Sequence, residues 1–268
     1  MQTNRNRSKL LAGIIIFAVI LLGIIIFLVC EHKEQERIAE IEAQKELAIK
    51  KEIDSIQEKY FLPVFQLFNG DLTDDVVVVA TVNFWPITKN EIDYRKKMRE
   101  IFGTYADENF IFNYLVEEKV MLSQAQALGL LPTKDKVNNE LNDLKQEIMK
   151  EQEYRKLINS IIEQWGISED DYWQICEAYN QYRLIVANNL SNVIEDEWWN
   201  DEDFDYTYLG TDAYYWLKKL EYKKSATIEI LDDSKRYTPI MDKLFSYRNS
   251  YKYGITEDEL MKELTKVN

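Results

Sequence analysis

Histidine, cysteine, proline and glycine are scarce in this chain of 268 residues, which has one His, two Cys, four Pro and eight Gly. Each scarcity removes a kind of chemistry. Cys30 ends an apolar run and Cys176 lies far away in a helical pattern, so the two cysteines build neither a disulfide framework nor a zinc site. The only imidazole is His32, two residues past the apolar run, and a Ser/His/Asp or Cys/His triad would have to act at a membrane surface. No stretch reads GxxxxGK(S/T) or GxGxxG, which removes the common phosphate cradles. A carboxylate-based enzyme, a binding module or a structural protein remains.

Positive charge is also in deficit, with 33 Lys and Arg against 47 Asp and Glu, a net −14. The first 30 residues hold no acid and three bases, Arg5, Arg7 and Lys9, so the remainder carries 30 basic and 47 acidic groups, or −17. Such a surface argues against nucleic acid, whose phosphates need clustered Lys and Arg, and it repels anionic lipid. Among so many carboxylates, close pairs arise by chance, and no catalytic pair stands out.

One long apolar run is present. Residues 10–30 contain no charged or strongly polar side chain, and at 1.5 Å per residue they cover roughly the 30 Å hydrocarbon core. The run ends Phe27, Leu28, Val29, a poor end for a cleavage site and a poor lipobox before Cys30, so it reads as an uncleaved transmembrane signal anchor. The basic flank points to a cytoplasmic tail at 1–9 and an extracytoplasmic remainder.

Residues 31–74 follow as a helical stalk or linker. From 31 to 60 there is no Gly or Pro, and the apolar stripe is thin and irregular. A two-stranded coiled coil is the alternative, but Lys45 and Glu52 interrupt its seam. Residues 76–82 form a β-branched run between acids and Asn83, hence a buried strand. Four helices come next, with start signals at Thr88/Glu91, Asp107, Thr133 and Ser168/Asp171. In the last of them Tyr172, Ile175, Tyr179, Tyr182, Val186, Leu190 and Val193 recur at spacings of three and four, a core-facing stripe.

Residues 195–225 open as an acidic, aromatic segment read as a linker, and 226–231 alternate like a strand. The extension 233–268 is expected to hold a helix at 237–251, with Pro239 in its first turn, and a short one capped by Thr256 with Glu259. Asp201, Asp203, Asp205 and Asp212 match positions 1, 3, 5 and 12 of a calcium loop. Tyr206 replaces the required Gly and Asp212 the bidentate Glu, so a solvated acidic segment is the default and no metal or cofactor is expected.

Read in order, four segments resemble the amino-terminal chaperone domain of the SurA/PrsA-type extracytoplasmic folding factors: Val79, Ala80, Thr81, Val82 and Asn83; Pro86, Ile87 and Thr88; residues 116–130, reading VEEKVMLSQAQALGL; and 166–171, reading GISEDD. The resemblance covers 76–194, with 226–231 as the returning strand of a domain spanning 75–232. It implies a mainly α fold with a minimal β element, a helical domain closed by a two-stranded sheet. Two departures stand out. Phe84 and Trp85 follow Asn83 where the family has Gly, and Phe is costly at positive φ, so the turn should differ from a simple Asn-Gly hairpin. Relatives often insert a parvulin-type isomerase of about 90 residues before the returning strand, whereas 195–225 offers 31 residues without His.

The resemblance thus implies a non-catalytic protein that binds unfolded or secreted polypeptides. Phe84, Trp85, Trp198 and Trp199 are candidate client contacts, although for Phe84 and Trp85 packing onto the helices is the favoured reading, because large aromatics generally lie buried. An envelope adaptor with one dedicated partner is the alternative from another class, and an isomerase lacking the usual motifs a weaker one. Clients and oligomeric state are not legible. The topology has a direct test: protease added to intact, wall-stripped cells should digest the part beyond residue 30, and full protection would contradict the orientation.

Overall fold

The computed structural model describes residues 3–69, 76–101, 107–200, 211–232, 236–247 and 255–264, with backbone alone at 3–29, 69, 101, 211–213, 263 and 264. It divides into two compact units, Met1–Glu52 and Ile53–Asn268. The first lies within α1 (Thr3–Ile56), where every side chain from Cys30 to Glu52 is exposed. Its ion pairs, Arg37 with Glu34 at 2.6 Å and Lys50 with Glu46 at 2.8 Å, are the surface type that adds little stability. The expected anchor, residues 10–30, falls in this helix with its side chains, Cys30 excepted, outside the described residues. Among the described residues no helix is long and apolar enough to cross a membrane.

The second unit is mainly helical with a small sheet, as expected for 75–232, but it begins earlier. From Ile53 onward the chain is no longer a stalk. A π-helical turn, Gln57–Phe61, and α2 (Leu62–Asn69) bury Tyr60, Phe61, Val64 and Phe65 in the largest core cluster. The π turn contains one residue more per turn than an α-helix, which re-aims side chains. Here Tyr60 lies over Tyr182 at 4.7 Å and Phe61 meets Tyr179 edge-on at 5.0 Å.

Strand β1 (Val78–Val82) pairs antiparallel with β2 (Trp85–Thr88) on one side and with β3 (Ile228–Ile230) on the other. The pairing of 76–82 with 226–231 is as expected, with Ala80 opposite Ile230 and Val82 opposite Ile228. The third strand is a correction to the two-stranded sheet. It exists because Asn83 and Phe84 both take positive φ, 46° and 74°, as in a type I′ turn. Left-handed backbone costs a non-glycine residue about 1–2 kcal/mol. Asn83 offsets this by bridging three elements: its amide donates to Ser123 Oγ at 3.1 Å and its carbonyl accepts from Thr227 N at 2.8 Å.

α3 (Lys89–Ile101) starts at Thr88, whose hydroxyl accepts from Glu91 N. α4 (Glu108–Ala127) is capped by Asp107 and lies at the centre, touching α3, β1, β2, α8 (Ala178–Asn200) and α9 (Thr211–Ser225). α5 (Lys134–Lys150), capped by Thr133, packs on α8 and carries α6 (Gln152–Trp165) as the second arm of a hairpin. Gly166 closes α6 at φ 65°, where a side chain would be strained. Ser168 then caps α7 (Glu169–Asp171), which leads through a π segment, Tyr172–Glu177, into α8. The expected stripe of this helix is inward, with Tyr179, Tyr182, Val186 and Leu190 buried.

Two further expectations fail. Most of 195–225 is not a linker, since α8 runs to Asn200 and α9 begins at Thr211. Among 237–251, the described residues to 247 are not helical: the chain is irregular, turns at 241–242 and forms β4 (Lys243–Leu244) with β5 (Ile255–Thr256). The capping box at Thr256 and Glu259 is present at the start of α10 (Glu257–Leu264). Tyr237, Leu244, Phe245 and Leu260 are buried, so this segment belongs to the core and is not an appendage.

Phe61→Ala should cost about 3–5 kcal/mol, the usual range for truncating a buried aromatic, whereas Leu47→Ala on the exposed helix should stay within about 0.5 kcal/mol. Denaturant unfolding of the two variants checks this, and equal small losses would return 53–69 to the stalk.

Candidate functional site

α4 is apolar on every side from Phe110 to Leu122 except at a few polar positions, and a helix of that kind is buried. Its polar residues must therefore find partners inside the protein. Asn109, Asn113 and Glu117, four residues apart, share one face. They serve as partners for the backbone of 238–246. Asn109 Oδ1 accepts from Thr238 N at 2.9 Å, and Asn113 donates to Thr238 O at 2.9 Å and accepts from Ile240 N at 2.7 Å. Glu117 accepts from Phe245 N at 2.6 Å, Ser246 N at 3.0 Å and Ser246 Oγ at 2.5 Å. A segment so supplied has no need of its own helical hydrogen bonds, which is why 237–247 is not the expected helix.

The next two charges turn to other elements. Glu117 also meets Lys223 of α9 at 2.9 Å, with Lys219 at 3.7 Å. Glu118 lies between Arg95 of α3, at 3.1 and 2.9 Å, and Arg183 of α8, while Arg95 also donates to the Tyr179 hydroxyl at 2.5 Å. Lys119 donates to Glu91 at 2.9 Å, and both are fully buried. Burial alone would raise the Glu118 carboxyl, but Arg183 and then Arg95 hold it down to about 2. Burial likewise opposes ionisation of Glu117, and Lys223, Lys219 and the Ser246 hydroxyl outweigh it, so its pKa lies below the usual carboxylate value. Burial raises Glu91 despite Lys119, and it lowers Lys223 despite Glu117.

Beside this network, between α4, α8 and α9, is a cleft of about 120 Å³. Its lining mixes Glu118, Arg183, Lys219 and Ser246 with the apolar Met121, Leu122 and Val186. Its Ser246 hydroxyl is committed to its neighbours, accepting from Lys219 and donating to Glu117, both at 2.5 Å. The Cys176 thiol lies elsewhere in the core, and burial pushes it up to about 12, which leaves it inert.

The expected contact residues separate. Trp85 and Trp198 are core, Trp85 with its indole N–H donating to Gln126 Oε1 at 3.1 Å. Phe84 and Trp199 are exposed, Trp199 by 64%. Asp201, Asp203 and Asp205 lie outside the described residues, as does the side chain of Asp212, and among the described residues no group of His, Cys, Asp and Glu is placed to hold a metal.

Two features escaped sequence reasoning. One is the charged triplet at 117–119, for which the signal was its position inside an all-round apolar helix. The other is the outer face of α6. Tyr154, Leu157, Ile158, Ile161, Ile162 and Trp165 form one stripe, yet only Ile158 is buried, and Tyr154 and Leu157 are 53% and 56% exposed. No family model matches the chain, and no curated protein and no solved structure matches it either.

The pH dependence follows from the two depressed carboxyls. A group whose folded pKa is lowered stabilises above its ordinary value of 4.5, and that contribution is lost as pH falls through the folded value. Glu91, raised, acts in the opposite sense. Acid unfolding should therefore set in between about pH 4.5 and 2. Glu118→Gln leaves two guanidinium groups short of a counter-charge and should cost about 3–5 kcal/mol at pH 7 while flattening the acid limb. Denaturation from pH 7 to 2 reads both, and unchanged stability of the variant would contradict the pairs.

Proposed function

We propose that this chain is a membrane-anchored, extracytoplasmic, chaperone-like protein that holds unfolded or secreted polypeptides without catalysing a reaction on them. Residues 10–30 anchor it and 1–9 stay in the cytoplasm. The observation that carries the reading is the apolar stripe of α6, which continues to Tyr154 and Leu157 beyond the surface that covers it, with Met149 of α5 exposed as well. Exposed apolar area on a helical hairpin, surrounded by charge, suits weak and reversible contact with an extended chain. The ordered motifs from Val79 to Asp171, which resemble the SurA/PrsA-type chaperone domain, support the same reading. The reading includes no isomerase.

A second reading rests on Trp199. A single, largely exposed Trp beside the buried Trp198, with centroids 4.4 Å apart, is the sort of anchor a dedicated partner uses. An envelope adaptor would use it.

The full chain in detergent should suppress light scattering by a denatured client and leave a proline-limited refolding rate unchanged. Tyr154→Ser with Leu157→Ser should abolish most of the suppression, and because both side chains are already wet, the melting temperature should hold within a few degrees. Suppression that survives this double change, but not Trp199→Ser, would favour the adaptor surface.

A further inference from the structure

The sheet runs β2, β1, β3, so among the described residues β3 has a strand on one side only. Register decides which of its backbone groups are engaged. Asn83 N donates to Thr227 O at 3.0 Å and Leu231 N to Val79 O at 2.9 Å, and Thr81 stands opposite Glu229. Residues of an antiparallel ladder alternate, so 227, 229 and 231 turn their N–H and C=O groups toward β1. Those of Ile228 and Ile230 point the other way, along the open edge, two donors and two acceptors without a ladder partner.

Side chains alternate as well. Ile228 and Ile230 lie on the face that packs against the core beside α4, yet both stay only half-buried, with no second strand to flank them. Thr227, Glu229 and Leu231 are exposed on the opposite face, and Glu229 makes no ion pair among the described residues. At the end of the strand a hollow of about 420 Å³, apolar along Val77, Val79, Leu231 and Tyr237, also carries the charged Lys89, Asp232 and Arg236. A second copy fits this edge badly: pairing two β3 strands through Ile228 and Ile230 sets Glu229 against Glu229, and like charges directly opposite destabilise. A basic residue there has the reverse effect, and the net −17 beyond residue 30 favours a basic partner at longer range.

We infer that the free edge of β3 takes an extended segment of another polypeptide as an added antiparallel strand. Read from its N-terminal end, that segment carries a large apolar residue opposite Leu231, Val or Ile opposite Ile230, Lys or Arg opposite Glu229, and Val or Ile opposite Ile228. The two β-branched residues exchange backbone hydrogen bonds with Ile230 and Ile228 and cover their half-buried side chains. The basic residue pairs with the Glu229 carboxylate, and the apolar residue reaches the hollow beside Leu231. Main-chain bonds give the affinity, and the alternating side chains the choice of sequence. The site is separate from the stripe on α6 and does not rest on the client reading.

Fluorescence anisotropy tests this with the full chain in detergent at constant ionic strength, the probe being a labelled, capped peptide containing Leu-Val-Lys-Val-Thr. It should bind saturably, one per chain. N-methylation of both Val amides keeps every side chain but removes the two donors, and it should abolish binding. Replacing the peptide's Lys by Glu should weaken binding about tenfold, the scale of exchanging an opposite-charge for a like-charge cross-strand pair. Glu229→Lys in the protein should reverse that preference, and since Glu229 is exposed the variant should melt as the parent does. Tyr154→Ser with Leu157→Ser should leave peptide binding unchanged, so failure here and failure of the client reading are told apart. Sedimentation of the chain alone in detergent tests the other occupant: a dimer that Glu229→Gln tightens would assign the edge to a second copy. That result, no saturable binding, equal binding of the N-methylated peptide, an unchanged preference in Glu229→Lys, or loss of binding in the α6 variant would overturn the inference.

Discussion

Glu117 is a carboxylate with no exposure to water, and a charge removed from solvent destabilises the fold by several kcal/mol unless every acceptor position is used. Its four hydrogen bonds and the second lysine nearby meet that requirement, and they come from two places far along the chain, α9 and the segment at 245–246. Loss of either would strand the charge. The position of the C-terminal part is therefore dictated by electrostatics as much as by apolar packing, and Asn109 and Asn113 extend the same dependence along one face of α4.

From this constraint the closure of the domain follows. Seating 237–246 on α4 requires α9 to lie alongside, because Lys223 donates both to Glu117 and to Lys243 O. β3 follows α9 within three residues and so is delivered to the free edge of β1. The sheet and the charge network thus tie the same two stretches together by independent means. Glu118 and Lys119, each turned about 100° further round the helix, extend the arrangement to α8 and α3.

What the sequence made legible was local. Caps at Asp107, Thr133, Ser168 and Thr256 depend on residues three positions apart, and the Tyr172 to Leu190 stripe on a single period. The pairing of β1 with β3 was legible for another reason, since each was an isolated strand whose backbone needed a partner. The strand β2 was hidden by a violation: Phe84 stands at a φ that Phe avoids, and the bonds of Asn83 across 40 and 144 residues help to hold the turn. The non-helical course of 237–246 was hidden because its partners are side chains some 125 residues away, which leave no periodicity behind. The reading of 53–69 as stalk followed from a thin stripe upstream. The cluster Phe61, Val64, Phe65 was the contrary signal. For the candidate surfaces, packing was the favoured reading of Phe84 and Trp85 because large aromatics tend to be buried, and it holds for Trp85 but not for the exposed Phe84, while nothing local marked Trp198 as core, because burial depends on what folds over it.

The distribution of order within the second unit bears on function. Ion pairs, the ladder on α4 and most buried aromatics lie around α4 and α8, while α6 contributes one buried residue and rests on α5. A protein that must expose apolar area to meet other chains weakens itself wherever that area would otherwise have been covered. Concentrating the buried charges and the tightest aromatic contacts away from α6 lets the hairpin carry an uncovered stripe without the fold depending on it. On the proposed function the charge network would be an unsuitable client surface: its groups are committed to each other, and a passing chain would have to break a desolvated pair to gain a contact.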